Sequence, residues 1–193
     1  MTLYIPTIPM PDLMAQAAAR DHLQTLAKPA GGLGILEGLS VRLAAMRGTT
    51  QLSFPRKSAI IMAADYRDTP TAIRPAAQAE TLRIAHRQAT ISALARQVGA
   101  TITLVDIGLS EELPKEANIG RYNVAKGTRP MTTGPALTLP EATDAIMVGM
   151  NVASLEISQR VDLLTLGAVS PHGRLSAAAL TAVITNTPPA DLL

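Results

Sequence analysis

Three short apolar runs, Ala59-Ile-Ile-Met-Ala-Ala, Ile102-Thr-Leu-Val-Asp-Ile and Leu163-Leu-Thr-Leu-Gly-Ala, limit the possible folds of this chain more than any other feature. Each lacks the period of an amphipathic helix and reads as a strand buried on both faces. Between the first two, Arg74 to Val98 carries Ala77, Leu82, Ile84, Ile91 and Leu94 in an alanine-rich helical window that Gly99 ends. Ahead of the third, Thr138-Leu-Pro-Glu141 is a capping box with proline in its first turn. It opens a helix through Ile146, Met150, Val152 and Leu155. Alternation of strand and helix with right-handed crossovers predicts an α/β fold, a Rossmann-like parallel sheet with helices on both faces. In that class ligands collect at the carboxyl ends of the strands.

Polar residues fall at those ends. Asp65, Tyr66 and Arg67 follow the first run, and Asp106 and Gly108 close the second. Gly167, Ser170, His172, Gly173 and Arg174 lie on or after the third. These are the candidate ligand-binding residues. An aspartate at a strand end also serves as a loop cap or the partner of a nearby arginine, so Asp65 and Asp106 carry both readings. His172 beside Gly173 fits a plain loop residue as well as a ligand contact. The glycine- and proline-rich stretch from Ser110 to Leu137 reads as a loop-rich crossover. Within it, Lys126, Thr128 and Arg129 around Gly127 form either an anion-holding backbone nest or a solvated loop. Arg129 joins the candidate set. His22 and His86 sit on helix surfaces without metal-ligand spacing, so no metal site is expected.

Ahead of the sheet, Pro29 blocks a helix spanning Asp12 to Ala27, and Gly31, Gly32 and Gly34 allow a sharp turn. Leu36, Leu39, Leu43 and Met46 then recur at helical spacing to an exit at Gly48, and Leu13, Met14, Leu23 and Leu26 face them from the first helix. Residues 1–50 therefore read as a helical hairpin and residues 51–193 as the α/β core. The 17 basic and 15 acidic residues are scattered, without the concentrated basic face that nucleic-acid binding requires. The absence of cysteine excludes disulfides, thiolate catalysis and cysteine-ligated zinc. Met1 to Pro9 lacks the basic start and unbroken apolar core of a leader, and no apolar run approaches the roughly 18 residues of a membrane span. A cytoplasmic protein is expected. Asn186 to Leu193 reads as a frayed tail.

Five ordered segments resemble the nicotinate-nucleotide:dimethylbenzimidazole phosphoribosyltransferase family: Lys28-Pro-Ala-Gly-Gly-Leu-Gly-Ile-Leu-Glu-Gly-Leu, Ala63-Ala-Asp65, Val105-Asp-Ile-Gly108, Gly127-Thr-Arg with Gly134-Pro-Ala-Leu-Thr-Leu-Pro-Glu-Ala142, and Leu163-Leu-Thr-Leu-Gly167 with Ala177-Ala-Ala-Leu. The resemblance implies a Rossmann-like sheet, a small helical part, a symmetric dimer and no cofactor. It also implies a reaction in which a benzimidazole nitrogen attacks C1 of the ribose of nicotinate mononucleotide and nicotinate leaves. Family members are nearly twice this length, and the resemblance places the general-base carboxylate beyond the stretch matched here, so no catalytic residue is assigned. Where the family writes Asp-His-Gly, Asp65 is followed by Tyr66-Arg67 and a shorter loop. Ala168 stands in place of the glutamate of the family's Gly-Glu loop, leaving Gly167 as the clean match, while His172 and Arg174 arrive as possible phosphate donors. The expectation is a chain inactive by itself, forming a homodimer or a complex with a full-length or complementary relative. The alternative is a non-catalytic module that binds a nucleotide or a benzimidazole, or regulates a full-length enzyme.

Overall fold

The computed structural model describes residues 7–66, 75–115, 117–171 and 173–192. The chain divides into two compact units, one ending at Pro55 and the other beginning at Arg56.

The first unit is a helical hairpin of α1 (Leu13–Thr25) and α2 (Ile35–Arg47). Asp12 caps α1, its Oδ1 accepting from the N–H groups of Met14 at 2.8 Å and Ala15 at 3.0 Å. Its own N–H donates to the carbonyl of Ala45 at 2.9 Å, tying the start of α1 to the end of α2. Gly48, at φ +65°, closes α2 in the left-handed conformation. The seam differs from the leucine face that spacing suggests. Ala19 packs on Val41 and Ala44 with Leu23 beside them, whereas Leu13, Met14, Leu36, Leu39 and Met46 are exposed. Small side chains on one face let the two backbones approach closely, and this packing prevails over the larger apolar content of the opposite face.

The second unit is built on a parallel sheet. The apolar runs form β1 (Lys57–Ala64), β2 (Ala100–Gly108) and β4 (Leu163–Val169), and a short β3 (Gly120–Arg121) lies inside the stretch read as a crossover loop. The spatial order is β3-β2-β1-β4, with every neighbouring pair parallel. Successive residues of β1 point to opposite faces. Ile61 and Ala63 join Leu104 under Ala77 and Ile84, while Ile60 joins Val105 under Val152.

The single helix expected over residues 74–98 is two, α3 (Pro75–Ala85) and α4 (Thr90–Val98). Arg87 takes φ +61°, and the N–H groups of Arg87 and Gln88 return to the carbonyls of Ile84 and Arg83 at 2.9 and 2.7 Å. This is a left-handed helix ending with arginine where glycine is usual. Gly99 ends α4 at φ +66° as expected. On the other face, α5 (Leu139–Ser158) begins at the Thr138–Glu141 capping box with Pro140 in the first turn. A buried Glu156 of α5 accepts from the hydroxyl of Thr103 on β2. Beyond β4, α6 (Gly173–Thr185) buries Ala178 and Ala182 and leaves Leu180, Val183 and Ile184 exposed. The tail expected to fray instead winds into a 3-10 turn over Pro189–Leu192. Among the described residues no helix is long and apolar enough to cross a membrane.

Candidate ligand-binding edge of the sheet

Strand order reverses direction between β1 and β4, and doubly wound sheets bind ligands at such a switch point. A cleft of about 530 Å3 lies there, lined by Ala59 and Ile61 of β1, by β4 from Thr165 through Val169 into Ser170, and by Ala77 and Ile84 of α3. Its walls are mostly apolar. The polar groups beside them are the hydroxyls of Thr90, Thr165 and Ser170 and the carboxylate of Glu80, which faces Arg83 at 3.3 Å. At Gly167 a Cβ would meet only ordinary van der Waals contact, 3.7 Å from Ile61 Cγ1, so the backbone geometry does not itself demand glycine there. The Ser170 hydroxyl is buried without a hydrogen-bond partner. Such a slot accepts a flat apolar ring and offers few groups to polarise it.

Next to the cleft, the carboxyl ends of β1 and β2 are joined by a buried polar junction. Asp65, 1% exposed, follows β1, and its Oδ2 accepts from the N–H of Ser110 at 2.9 Å and from its hydroxyl at 2.7 Å. The backbone of Asp65 donates to the carbonyl of Gly108 and accepts from the N–H of Thr128. Gly108 is required by close approach, because a Cβ would lie 3.1 Å from the carbonyl oxygen of Ala125. Asp106 turns its Oδ1 onto the N–H groups of Gly108 and Leu109 at 3.1 and 2.8 Å and onto the Asn123 amide at 3.2 Å. It therefore caps the end of β2. Asp65 Oδ1 and Thr128 Oγ1 are buried without partners, and both residues border a cavity of about 90 Å3. Tyr66 forms a parallel bridge with Thr128, and desolvation raises its phenol above the ordinary range.

The segment around Gly127 does not present free amides to an anion. The N–H of Gly127 donates to Gly108 and Ala125 carbonyls, and that of Thr128 to Asp65. Arg129 grips Glu141 in a bidentate pair at 2.9 and 2.8 Å, and Glu141 also accepts from the N–H of Thr138 at 2.6 Å and from its hydroxyl at 2.8 Å. Arg129, then Thr138, holds the Glu141 carboxyl down at about 2, and Glu141 in turn raises the Arg129 guanidinium. The capping box of α5 thus anchors the loop that crosses β1 and β2.

Of the sequence candidates, Asp65, Tyr66, Asp106 and Gly108 meet at this junction, and Gly167 and Ser170 line the cleft. Gly173 begins α6, its N–H donating to the Ser170 carbonyl at 3.4 Å, and Arg174 follows as an exposed residue. Arg67 and His172 lie outside the described residues. Ser110, Asn123 and Glu141 were not among the candidates. The capping box was a signal for Glu141, but short polar loop residues such as Ser110 and Asn123 carry none. No group of three or more His, Asp or Glu able to hold a metal occurs among the described residues.

A phosphoribosyltransferase family model matches residues 8–193. The nicotinate-nucleotide–dimethylbenzimidazole phosphoribosyltransferase of Chloroflexus aggregans is 35% identical over 188 residues, covering 94% of this chain and 52% of that protein. The chain belongs to this family. The similarly named protein of Mycobacterium ulcerans is 36% identical over 187 residues, again 94% of this chain and 52% of the relative. The crystal structure of the family enzyme from Thermus thermophilus superposes with a TM-score of 0.83 at 29% identity, covering 92% of this chain and 55% of that one. The α/β fold read from the apolar runs is the family fold, and this chain spans about half the length of the relatives it matches.

Proposed function

We propose that this chain carries the sheet-bearing part of a phosphoribosyl transfer from nicotinate mononucleotide to a benzimidazole, and that residues 1–193 are inactive without the part of the fold equivalent to the rest of its relatives. The reading rests chiefly on one observation. At the strand ends, the Oδ2 of Asp65, the Oδ1 of Asp106 and both terminal nitrogens of Arg129 are engaged in internal hydrogen bonds. The transfer needs a group to take the benzimidazole proton and a charged hold on the phosphate. Positioned acids and bases contribute about 10²- to 10⁴-fold, and oriented charge contributes comparably. The apolar cleft at β1 and β4 suits the flat base, and the exposed Arg174 at the start of α6 suits the phosphate. β4 is an edge strand with Leu166 79% exposed, which suits a partner that extends the sheet. Without such a partner, a second copy of the chain would cover that edge.

Nicotinate release from nicotinate mononucleotide and dimethylbenzimidazole is to be followed with this protein alone and with the unmatched half of the Chloroflexus aggregans relative added as a separate polypeptide. A flat trace alone and turnover with the added half are expected. Turnover by this protein alone, or flat traces in both, refutes the proposal. Ala168 in β4 favours a second reading, a non-catalytic module that retains the base or the nucleotide. Calorimetric binding of dimethylbenzimidazole or nicotinate mononucleotide, with flat traces in both assays, would select it.

A further inference from the structure

The helical hairpin contains a cleft of its own, about 760 Å3 in volume. Gln16 and Arg20, one turn apart on α1, line it together with Glu37 and Arg42 of α2 and Lys28 from the glycine turn. Three cations and one carboxylate therefore line the same cleft. That carboxylate is engaged with Lys28, whose Nζ lies 2.8 Å from Glu37 Oε1, and the same oxygen accepts from the N–H of Leu33 at 3.2 Å. The Lys28 hydrogen bond, with that of Leu33, holds the Glu37 carboxyl below its usual range. Neither Arg20 nor Arg42 lies within ion-pair distance of a carboxylate among the described residues. Gly38 also borders the cleft. It sits inside α2 with nothing within 4 Å of the position of a Cβ, although glycine in a helix interior costs about 1 kcal/mol relative to alanine.

We propose that this cleft binds a phosphate monoester, with Arg20 and Arg42 gripping its oxygens from the two helices and the Gln16 amide adding a neutral donor. The two uncompensated guanidinium charges match a dianion. A guanidinium presents paired donors to a phosphate, a geometry that a lone ammonium lacks. Lys28 and the turn glycines gain a role beyond bending the chain. Lys28 holds Glu37 away from the arginines, and Gly38 keeps open the space that a side chain would occupy. The assignment concerns the hairpin alone and does not depend on turnover at the sheet.

The full chain is to be titrated calorimetrically at low ionic strength with inorganic phosphate, ribose 5-phosphate and nicotinate. The two phosphates are expected to bind in competition, more tightly than the monoanionic nicotinate, and to weaken as salt is raised. Arg20→Ala and Arg42→Ala each weaken ribose 5-phosphate by about tenfold or more, the loss expected for a charge-assisted hydrogen bond. Both positions are exposed on helices that alanine favours, so the variants fold, as circular dichroism is to verify. Gly38→Leu blocks the cleft without altering a charge and weakens binding as well, whereas Arg96→Ala on α4 leaves it unchanged. Absence of binding by both phosphates, nicotinate binding as tight as theirs, or an affinity indifferent to both cleft arginines would overturn the proposal.

Discussion

The junction at the carboxyl end of β1 can be tested by a double-mutant cycle between Asp65 and Ser110. Asp65 is buried, and a single oxygen of its carboxylate accepts both the N–H and the hydroxyl of Ser110 at 2.9 and 2.7 Å. A hydrogen bond to a charged acceptor contributes about 1.5–3 kcal/mol net. Ser110→Ala removes the hydroxyl bond and keeps the backbone one, so it should cost about 2 kcal/mol. Asp65→Ala removes both and strips the Ser110 N–H of its acceptor, so it should cost about 3–5 kcal/mol. Once the carboxylate is gone the hydroxyl has no partner to lose, and the double variant should be little worse than Asp65→Ala. The expected coupling is therefore about 1.5–2 kcal/mol. Urea unfolding of the four proteins, followed by far-ultraviolet circular dichroism, gives the energies. Amide exchange at Ser110 and Thr128 reports whether the junction alone has loosened. Costs that add within about 0.3 kcal/mol would refute the shared-oxygen geometry.

The ion pair at the start of α5 makes stability acid-sensitive. The Glu141 carboxyl lies at about 2 when folded against 4.5 for the free group, so its contribution is fully present above about 4.5 and is lost as pH falls toward 2. Thermal melts at low salt should show this acid limb, and Glu141→Gln should flatten it. Glycine positions in α2 separate two effects. Gly34→Ala meets a backbone at φ +56° and ψ −130° and should cost about 1–3 kcal/mol, whereas Gly38→Ala should stabilise by about 0.5–1 kcal/mol. A Tm that moves the same way in both would contradict the backbone assignment. Leu166→Glu should leave folding stability within about 0.5 kcal/mol, because the side chain is 79% exposed, while abolishing association with the complementing half. Light scattering of the mixture decides it.

The strands and the start of α5 were legible because composition and capping act locally. An apolar run in a two-faced sheet needs no partner to be recognised, and Thr138 and Glu141 satisfy each other three residues apart. The break after α3 was hidden because Arg87 adopts a conformation whose usual mark is glycine. β3 is two residues long, too short to leave a period. In α2 the leucines and the Val41, Ala44 and Ala45 set share the helical period, and a hydrophobicity reading selects the heavier side. Packing selects the other. The site was legible as a place rather than as a set of contacts. Asp65 and Asp106 do stand at strand ends, and Asp106 caps its own loop at Gly108 and Leu109 as a local pattern allows, but the Ser110 partner of Asp65 lies 45 residues away and the Asn123 partner of Asp106 lies 17 away, distances that no local pattern records.

The exposed rim at β4 sets a directional rule for any strand that joins the sheet there. The crossover through α5 travels from β3 to β4 on the face carrying Ile60 and Leu164, and a right-handed connection going further outward must run on that same face, over Leu166. An incoming strand has to arrive aligned with β4 and bring or receive a covering helix on that side. A tethered segment would meet this condition at millimolar effective concentration, whereas a free polypeptide meets it only as often as its own abundance allows. Covalent joining at this rim would therefore turn assembly from a concentration-dependent event into an obligatory one.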